Sequence, residues 1–364
     1  MTSTPAPTTR LPLSDAPAVD RAECFFDAAL ATFVANRVGG EQERRCYCIG
    51  RRSVVIESAS SELASILLPT FAHLAAQDRA TPDLEVRAWE GRRAGAPPAP
   101  PWGAADYYGN GEIKGFGGGV LRAAFDVEAG VLSLYHARRR LALCWARSSR
   151  DIPAHIVAAP FRTILQWHAE NHGQQLAHAA AVGSGSGGVL MAGAGGAGKS
   201  SAAVASLLAG LSYAGDDYVL VEPEPRPWVY SLFGTAKLAR GHLAQRFPEL
   251  RELAVAQPRQ DGEKALLDLA RFYPARMSAG FPVRALLIPR LSGREGSRLV
   301  AASGSEALRA LLPHTLFPLP GARQQAFARL AALARRLPCF FLEAGSDRAG
   351  LVAAIGEALA METR

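Results

Sequence analysis

No apolar run in the 364 residues reaches the ~18 positions that a bilayer crossing needs, which argues against a membrane span. The first twenty residues, rich in Pro, Thr and Ala, lack a basic start followed by an apolar stretch. They read as a disordered tail over 1–19 rather than a secretion signal, so a cytoplasmic location is expected. Cysteine is scarce: Cys24, Cys46, Cys48, Cys144 and Cys339 are odd in number and scattered, which excludes a disulfide framework. Cys46 and Cys48 have no second pair to complete a zinc site and read as small buried apolar residues. Lysine is scarcer still, at Lys114, Lys199, Lys237 and Lys264 only. Arginine carries nearly all of the positive charge behind the net +7, without a basic stripe interleaved with aromatics. That pattern does not describe a nucleic-acid surface; it suits attraction of an anionic ligand.

Hydrophobic content of 49% and charged content of 20% are ordinary for a protein with a sizeable core, and the length suits two domains. Residues 20–150 read as a smaller α/β unit. Residues 52–58 form a strand, and a helix follows whose apolar face is Leu63, Ile66, Leu67, Phe71 and Leu74, kinked at Pro69. A strand over 84–89, a Pro-rich loop over 92–103, a flexible connection over 109–119 and a hairpin around Gly130 complete it. After a mostly helical stretch, residues 151–364 alternate strands (177–182, 187–193, 227–233, 283–289, 298–303 and 339–344) with helices, the clearest over 323–337 and 347–360. Asp347 is placed to cap the last of them.

One stretch of this second unit carries chemistry. Gly193, Ala194, Gly195, Gly196, Ala197, Gly198, Lys199 and Ser200 satisfy G-x-x-x-x-G-K-[ST], after an apolar strand and before an Ala-rich helix that ends at Gly210. Glycines let successive amides turn toward phosphate oxygens, and the helix adds its positive end. Lys199 would reach the β- and γ-phosphates, Ser200 would ligate Mg²⁺, and Ser201 follows within the same cradle. Asp216 and Asp217 stand 16 and 17 positions after Ser200, close enough for the chain to return along the short helix. Alternation along the strand they enter would send one carboxylate to a metal and the other toward an acceptor. His178 opens the strand that feeds the hairpin into the glycine loop; the remaining histidines, His242 and His314 among them, read as ordinary core or surface residues.

The arrangement over 176–222 (histidine, strand, glycine loop, helix, Asp pair) resembles the catalytic core of the HPr kinase/phosphorylase family, which shares a P-loop core with phosphoenolpyruvate carboxykinases. The resemblance implies an α/β P-loop kinase domain over 151–364, preceded by the smaller α/β N-terminal domain, which would recognise the acceptor or mediate assembly. It implies a phosphotransferase using ATP and Mg²⁺ on a hydroxyl, most simply serine of a peptide or protein. By the same resemblance Asp216 is the catalytic base, His178 orients it, Lys199 holds the terminal phosphates, and Ser200 and Asp217 hold the metal, with the division of roles between the two aspartates left open. The family's acidic-Arg-Gly-rich loop after the Asp pair is absent. Residues 230–242 stand there, with Lys237 and Arg240 as candidate phosphate cations. HPr itself is therefore not the expected acceptor, nor is the reverse phosphorylase reaction expected; relatives of this kind include kinases that tailor lasso-peptide precursors. The expected partners are a peptide or protein acceptor and further copies of the chain, without nucleic acid or membrane. Two alternatives stay open, a kinase of a small-molecule hydroxyl and a nucleotide-binding regulatory module.

Overall fold

A computed structural model describes residues 18–37, 42–91, 95–116, 119–256 and 264–361. The tail expected over 1–19 lies outside these except for its last two positions, as do 92–94 of the Pro-rich loop and 117–118 of the glycine connection. The architecture is mixed α/β, with sheets of six, nine and three strands. Among the described residues no helix is long and apolar enough to cross a membrane.

The chain begins with α1 (Ala18–Arg37), β1 (Glu43–Ile49), β2 (Arg52–Ser58), α2 (Ser61–Leu67), β3 (Leu84–Glu90), β4 (Leu121–Asp126), β5 (Val131–His136) and β6 (Leu141–Ala146). The six strands form one sheet in the order β1-β2-β3-β6-β5-β4, parallel only at β2/β3 and β3/β6. Pro69 stops the preceding helix rather than kinking it: α2 ends at Leu67, and Pro69–Leu74 continues as a 3₁₀ helix. Proline cannot donate the next helical bond, and its ring crowds the preceding turn. The connection expected to be flexible over 109–119 is pinned in its middle. Glu112 bridges Ala124 of β4, and Ile113 is fully buried.

Next come α3 (Ala154–Ala158), α4 (Arg162–Glu170), β7 (Gln175–Ala177), β8 (Ala179–Ser184), β9 (Gly187–Ala192), α5 (Lys199–Leu208), β10 (Ser212–Gly215), β11 (Val219–Glu222), β12 (Trp228–Tyr230) and β13 (Thr235–Ala239). The chain continues through α6 (Arg240–Arg246), β14 (Ala254–Ala256), β15 (Lys264–Asp268), α7 (Leu269–Phe272), β16 (Gly280–Leu291) and β17 (Arg298–Ala302). It closes with α8 (Gly304–Leu316), α9 (Arg323–Arg336), β18 (Cys339–Ala344) and α10 (Arg348–Ala360). β9, β16 and β18 run parallel at the centre of the nine-stranded sheet, and α5 and α10 cover one face while α8 and α9 cover the other. Burial on both faces explains why β9 reads as a continuous apolar run. β13, β15 and β14 form the small third sheet.

One hydrophobic cluster joins the N-terminal sheet to the larger one. Phe71 lies 5.6 Å from Phe233 and stacks on Phe161 at 6.3 Å, with Tyr47 and Leu220 in the same cluster. Two histidines around this core, half-buried His73 and buried His168, carry an acid sensitivity. Burial lowers the His73 pKa to about 4, and burial followed by the charge of His172 lowers that of His168 to about 3. Between pH 6.5 and 4 the unfolded chain binds protons at both positions while the folded chain does not, so stability falls as pH falls. Each histidine contributes a slope of about 1.4 kcal/mol per pH unit over that interval. Thermal unfolding should show Tm declining from pH 6.5 to 4.5, and His168→Gln should flatten the decline; a profile flat in the unmodified protein would contradict it.

Candidate active site

β9 delivers the chain into the glycine loop, where Gly196 at φ 82° and Gly198 at φ 102° hold backbone conformations that side chains rarely adopt. A Cβ at either glycine would meet only open space, so the loop's inner surface is bare backbone. Gly198 caps α5 without a side-chain bond, which leaves the first-turn amides directed at the adjoining space. That space is a cavity of about 480 Å³. Its walls bring together Gly195, Gly196, Gly198, Lys199, Ser200 and Ser201 with His178, Asp216 and Asp217. Gly193 and Ala197 shape the loop behind it, Gly193 through a φ of 155°.

The two aspartates sit in a bend between β10 and β11, not within a strand as the sequence suggested. The Asp216 carbonyl accepts from the Tyr218 amide at 2.9 Å, and Asp217 takes a left-handed φ of 70°. Strand alternation therefore does not set their directions. The bend turns both carboxylates into one cavity yet gives them opposite surroundings.

Asp216 is 2% exposed. Burial raises its pKa, the neighbouring Asp217 adds to the rise, and the Ser200 hydroxyl, the Lys237 amide and the Lys199 charge oppose it. Its Oδ1 is buried without a hydrogen-bond partner among the described residues. Asp217 is the reverse case. Burial alone would raise its pKa, but the His178 bond and the charge and bond of Lys237 outweigh it and hold the carboxyl well below the ordinary range. His178 Nε2 lies 3.0 Å from Asp217 Oδ1, and Lys237 Nζ donates to Asp217 Oδ2 at 2.5 Å. In the structure His178 bonds Asp217, whereas the resemblance had paired it with Asp216.

Lys199 is buried, and its ammonium donates to the carbonyls of Gly193 at 2.7 Å and Ala194 at 3.2 Å. Burial lowers its pKa, while Asp216 and Asp217 raise it. Ser201 Oγ shares a 2.7 Å hydrogen bond with His242 Nε2.

Of the two candidate phosphate cations, Lys237 of β13 joins the cluster, whereas Arg240 is exposed and does not line the cavity. His242 and Lys264 line it although neither was singled out, and His314 stands 5.4 Å from His178. A signal existed for the lysines. In a chain that otherwise uses arginine, three of its four lysines (Lys199, Lys237 and Lys264) converge on this cavity.

No family model and no curated protein matches the sequence. Among solved structures, the Hpr(Ser) kinase/phosphatase from Coxiella burnetii is similar at 11% identity over 50% of this chain and 95% of that chain, with a TM-score of 0.29. A likeness at that level carries no weight for the chemistry, which rests on the residues above.

Proposed function

We propose that the chain is a phosphotransferase that takes ATP as donor and transfers its γ-phosphate to a hydroxyl, serine of a peptide or protein being the acceptor class. One observation carries this reading: bare glycine amides, the Lys199 and Lys237 ammonium groups, the Ser200 hydroxyl and two carboxylates in opposite surroundings share a single open cavity at the start of α5. The amides at the loop and helix start cradle the phosphates, and Lys199 turns from its two carbonyls to the phosphate oxygens.

The residues present fit a magnesium ion. Asp216 is a buried carboxylate with an unpartnered oxygen beside the Ser200 hydroxyl, a hard oxygen pair of the kind such an ion requires. Asp216 and Ser200 would hold it, and when bound it supplies neutralisation of charge on the phosphate oxygens. In this assignment the metal role moves from Asp217 to Asp216.

Asp217 then takes the base role. Its low pKa keeps it ionised at neutral pH, and His178 fixes its orientation. The acceptor O–H gives its proton to the Asp217 carboxylate as the oxygen forms its bond to the γ-phosphorus. The bond from that phosphorus to the β–γ bridging oxygen breaks, and ADP leaves. Little basicity is demanded, because phosphoryl transfer rests mainly on positioning and charge neutralisation. Lys237, paired with Asp217 before the donor arrives, is placed to meet the phosphate. A donor of this kind puts the reaction in the cytoplasm, and the N-terminal sheet is left to recognise the acceptor.

Lys199→Met provides the test of the nucleotide reading. Removing charge-assisted bonds worth about 3 kcal/mol should weaken binding of a fluorescent ATP analogue about a hundredfold. Unchanged affinity would remove the glycine loop from the account.

A further inference from the structure

The cavity at the glycine loop has a second end, and the sheet gives it a direction. Across the large sheet the strands stand in the order β10, β8, β9, β16, β18. β10, β9, β16 and β18 run the same way and β8 runs against them. Four features therefore share one edge of the sheet: the Asp pair after β10, His178 before β8, the glycine loop after β9 and the start of α10 after β18. The Asp pair and the start of α10 lie on opposite sides of the glycine loop. Two strand spacings, roughly 10 Å, separate β9 from β18.

The walls change character along that edge. Beside the Asp pair they are charged, whereas at the start of α10 they are Phe247, Leu351, Ala344 and Leu291 with Arg348. Bonds clasp α6 to α10 at this end. Arg246 Nη1 donates to the Ser346 carbonyl at 2.6 Å, and Arg348 Nη1 donates to Glu249 Oε1 at 2.6 Å and to the Arg246 carbonyl at 3.4 Å. The clasp holds the Arg348 guanidinium 5.6 Å over the Phe247 ring, while the Arg348 side chain stays 48% exposed. His242 links this platform to the helix start: its ring lies 5.9 Å from Phe247, and its Nε2 shares the bond with Ser201.

We propose that this end of the cavity is the nucleobase subsite of the donor: the base stacks on the Arg348 guanidinium, which Phe247 and Glu249 hold in place. The proposal rests on the phosphotransferase reading and assigns the half of the donor that the glycine loop does not hold. The orientation follows from the chemistry. The γ-phosphate has to face Asp217, so the phosphates lie on the glycine loop with the nucleoside directed away from the Asp pair, toward α10. The acceptor hydroxyl also has to reach Asp217, which places it at the opposite end. A planar cation backed by a ring suits a base, because every base has a π-face and arginine stacks on such faces. The aliphatic surface of Leu351 and Leu291 suits the same apolar ring.

The test is calorimetric titration of the full chain, in magnesium, with two probes: ATP and inorganic triphosphate, which has the phosphates without the base. The unmodified protein should bind ATP about tenfold more tightly than triphosphate. Arg348→Lys keeps the charge beside Glu249 and removes the planar face; it should weaken ATP about tenfold and leave triphosphate unchanged. Phe247→Leu keeps apolar volume and removes the supporting ring, and should weaken ATP in the same direction. Triphosphate binding also reports whether each variant is folded. ATP affinity unchanged in Arg348→Lys, or triphosphate weakened as much as ATP, overturns the subsite and leaves the nucleotide reading standing. Equal affinity of the unmodified protein for the two probes does the same. Binding of neither probe overturns both.

Discussion

Asp217→Asn should lower phosphate transfer, measured as release from γ-labelled ATP, by about 10³-fold while the protein still binds Mg·ATP. The substitution keeps the shape of the side chain and removes the acceptor of the proton. His178 and Lys237 would then face a neutral amide, where they now hold a carboxylate at 3.0 and 2.5 Å. Asp216→Asn should act differently. It removes charge beside Ser200, so its main effect should be a higher magnesium concentration at half-maximal rate. If instead Asp216→Asn abolished transfer at saturating magnesium and Asp217→Asn did not, the roles given to the two carboxylates would be reversed.

The largest expected effect on stability is at the other end of α4. Arg122 of β4 donates from Nη1 to Glu170 Oε2 at 2.5 Å, and their side chains are 7% and 1% exposed. Glu170 Oε1 also accepts from Gln166 at 2.8 Å and from the Ala322 amide at 3.0 Å, while the Glu170 carbonyl accepts from Arg329 at 2.8 Å. This network ties the N-terminal sheet to α4 and to the turn before α9. Arg122→Met leaves the carboxylate buried with neutral donors only, a change that costs about 3–5 kcal/mol. Arg122→Met combined with Glu170→Gln removes both charges, keeps an acceptor for Ala322, and should recover much of the loss. Urea unfolding of the three proteins measures this, and an Arg122→Met protein within 1 kcal/mol of the unmodified chain would show that the pair is not a stabilising contact.

How far the sequence revealed these features follows from which signals are local. The turn of the glycine loop was legible because it is written over eight consecutive positions, where Gly193, Gly196 and Gly198 take positive φ. The Asp pair was legible through the short return along α5, which spans ten residues from Lys199 to Leu208. The opposite surroundings of its two carboxylates were not, because Asp217 takes a left-handed φ that no residue pattern announces. Lys237 was ambiguous for a different reason: its value comes from the pairing of β13 with β15, a long-range register. β1 was missed because Glu43, Arg44 and Arg45 hide its alternation, and α8 because Pro313 interrupts an otherwise helical pattern.

Calorimetric titration of the full chain with ATP, with and without magnesium, tests the central claim most directly. The account predicts one binding site per chain whose affinity rises at least about tenfold with magnesium, in keeping with a metal held by Asp216 and Ser200. No binding heat, or equal affinity in the absence of magnesium, would contradict it.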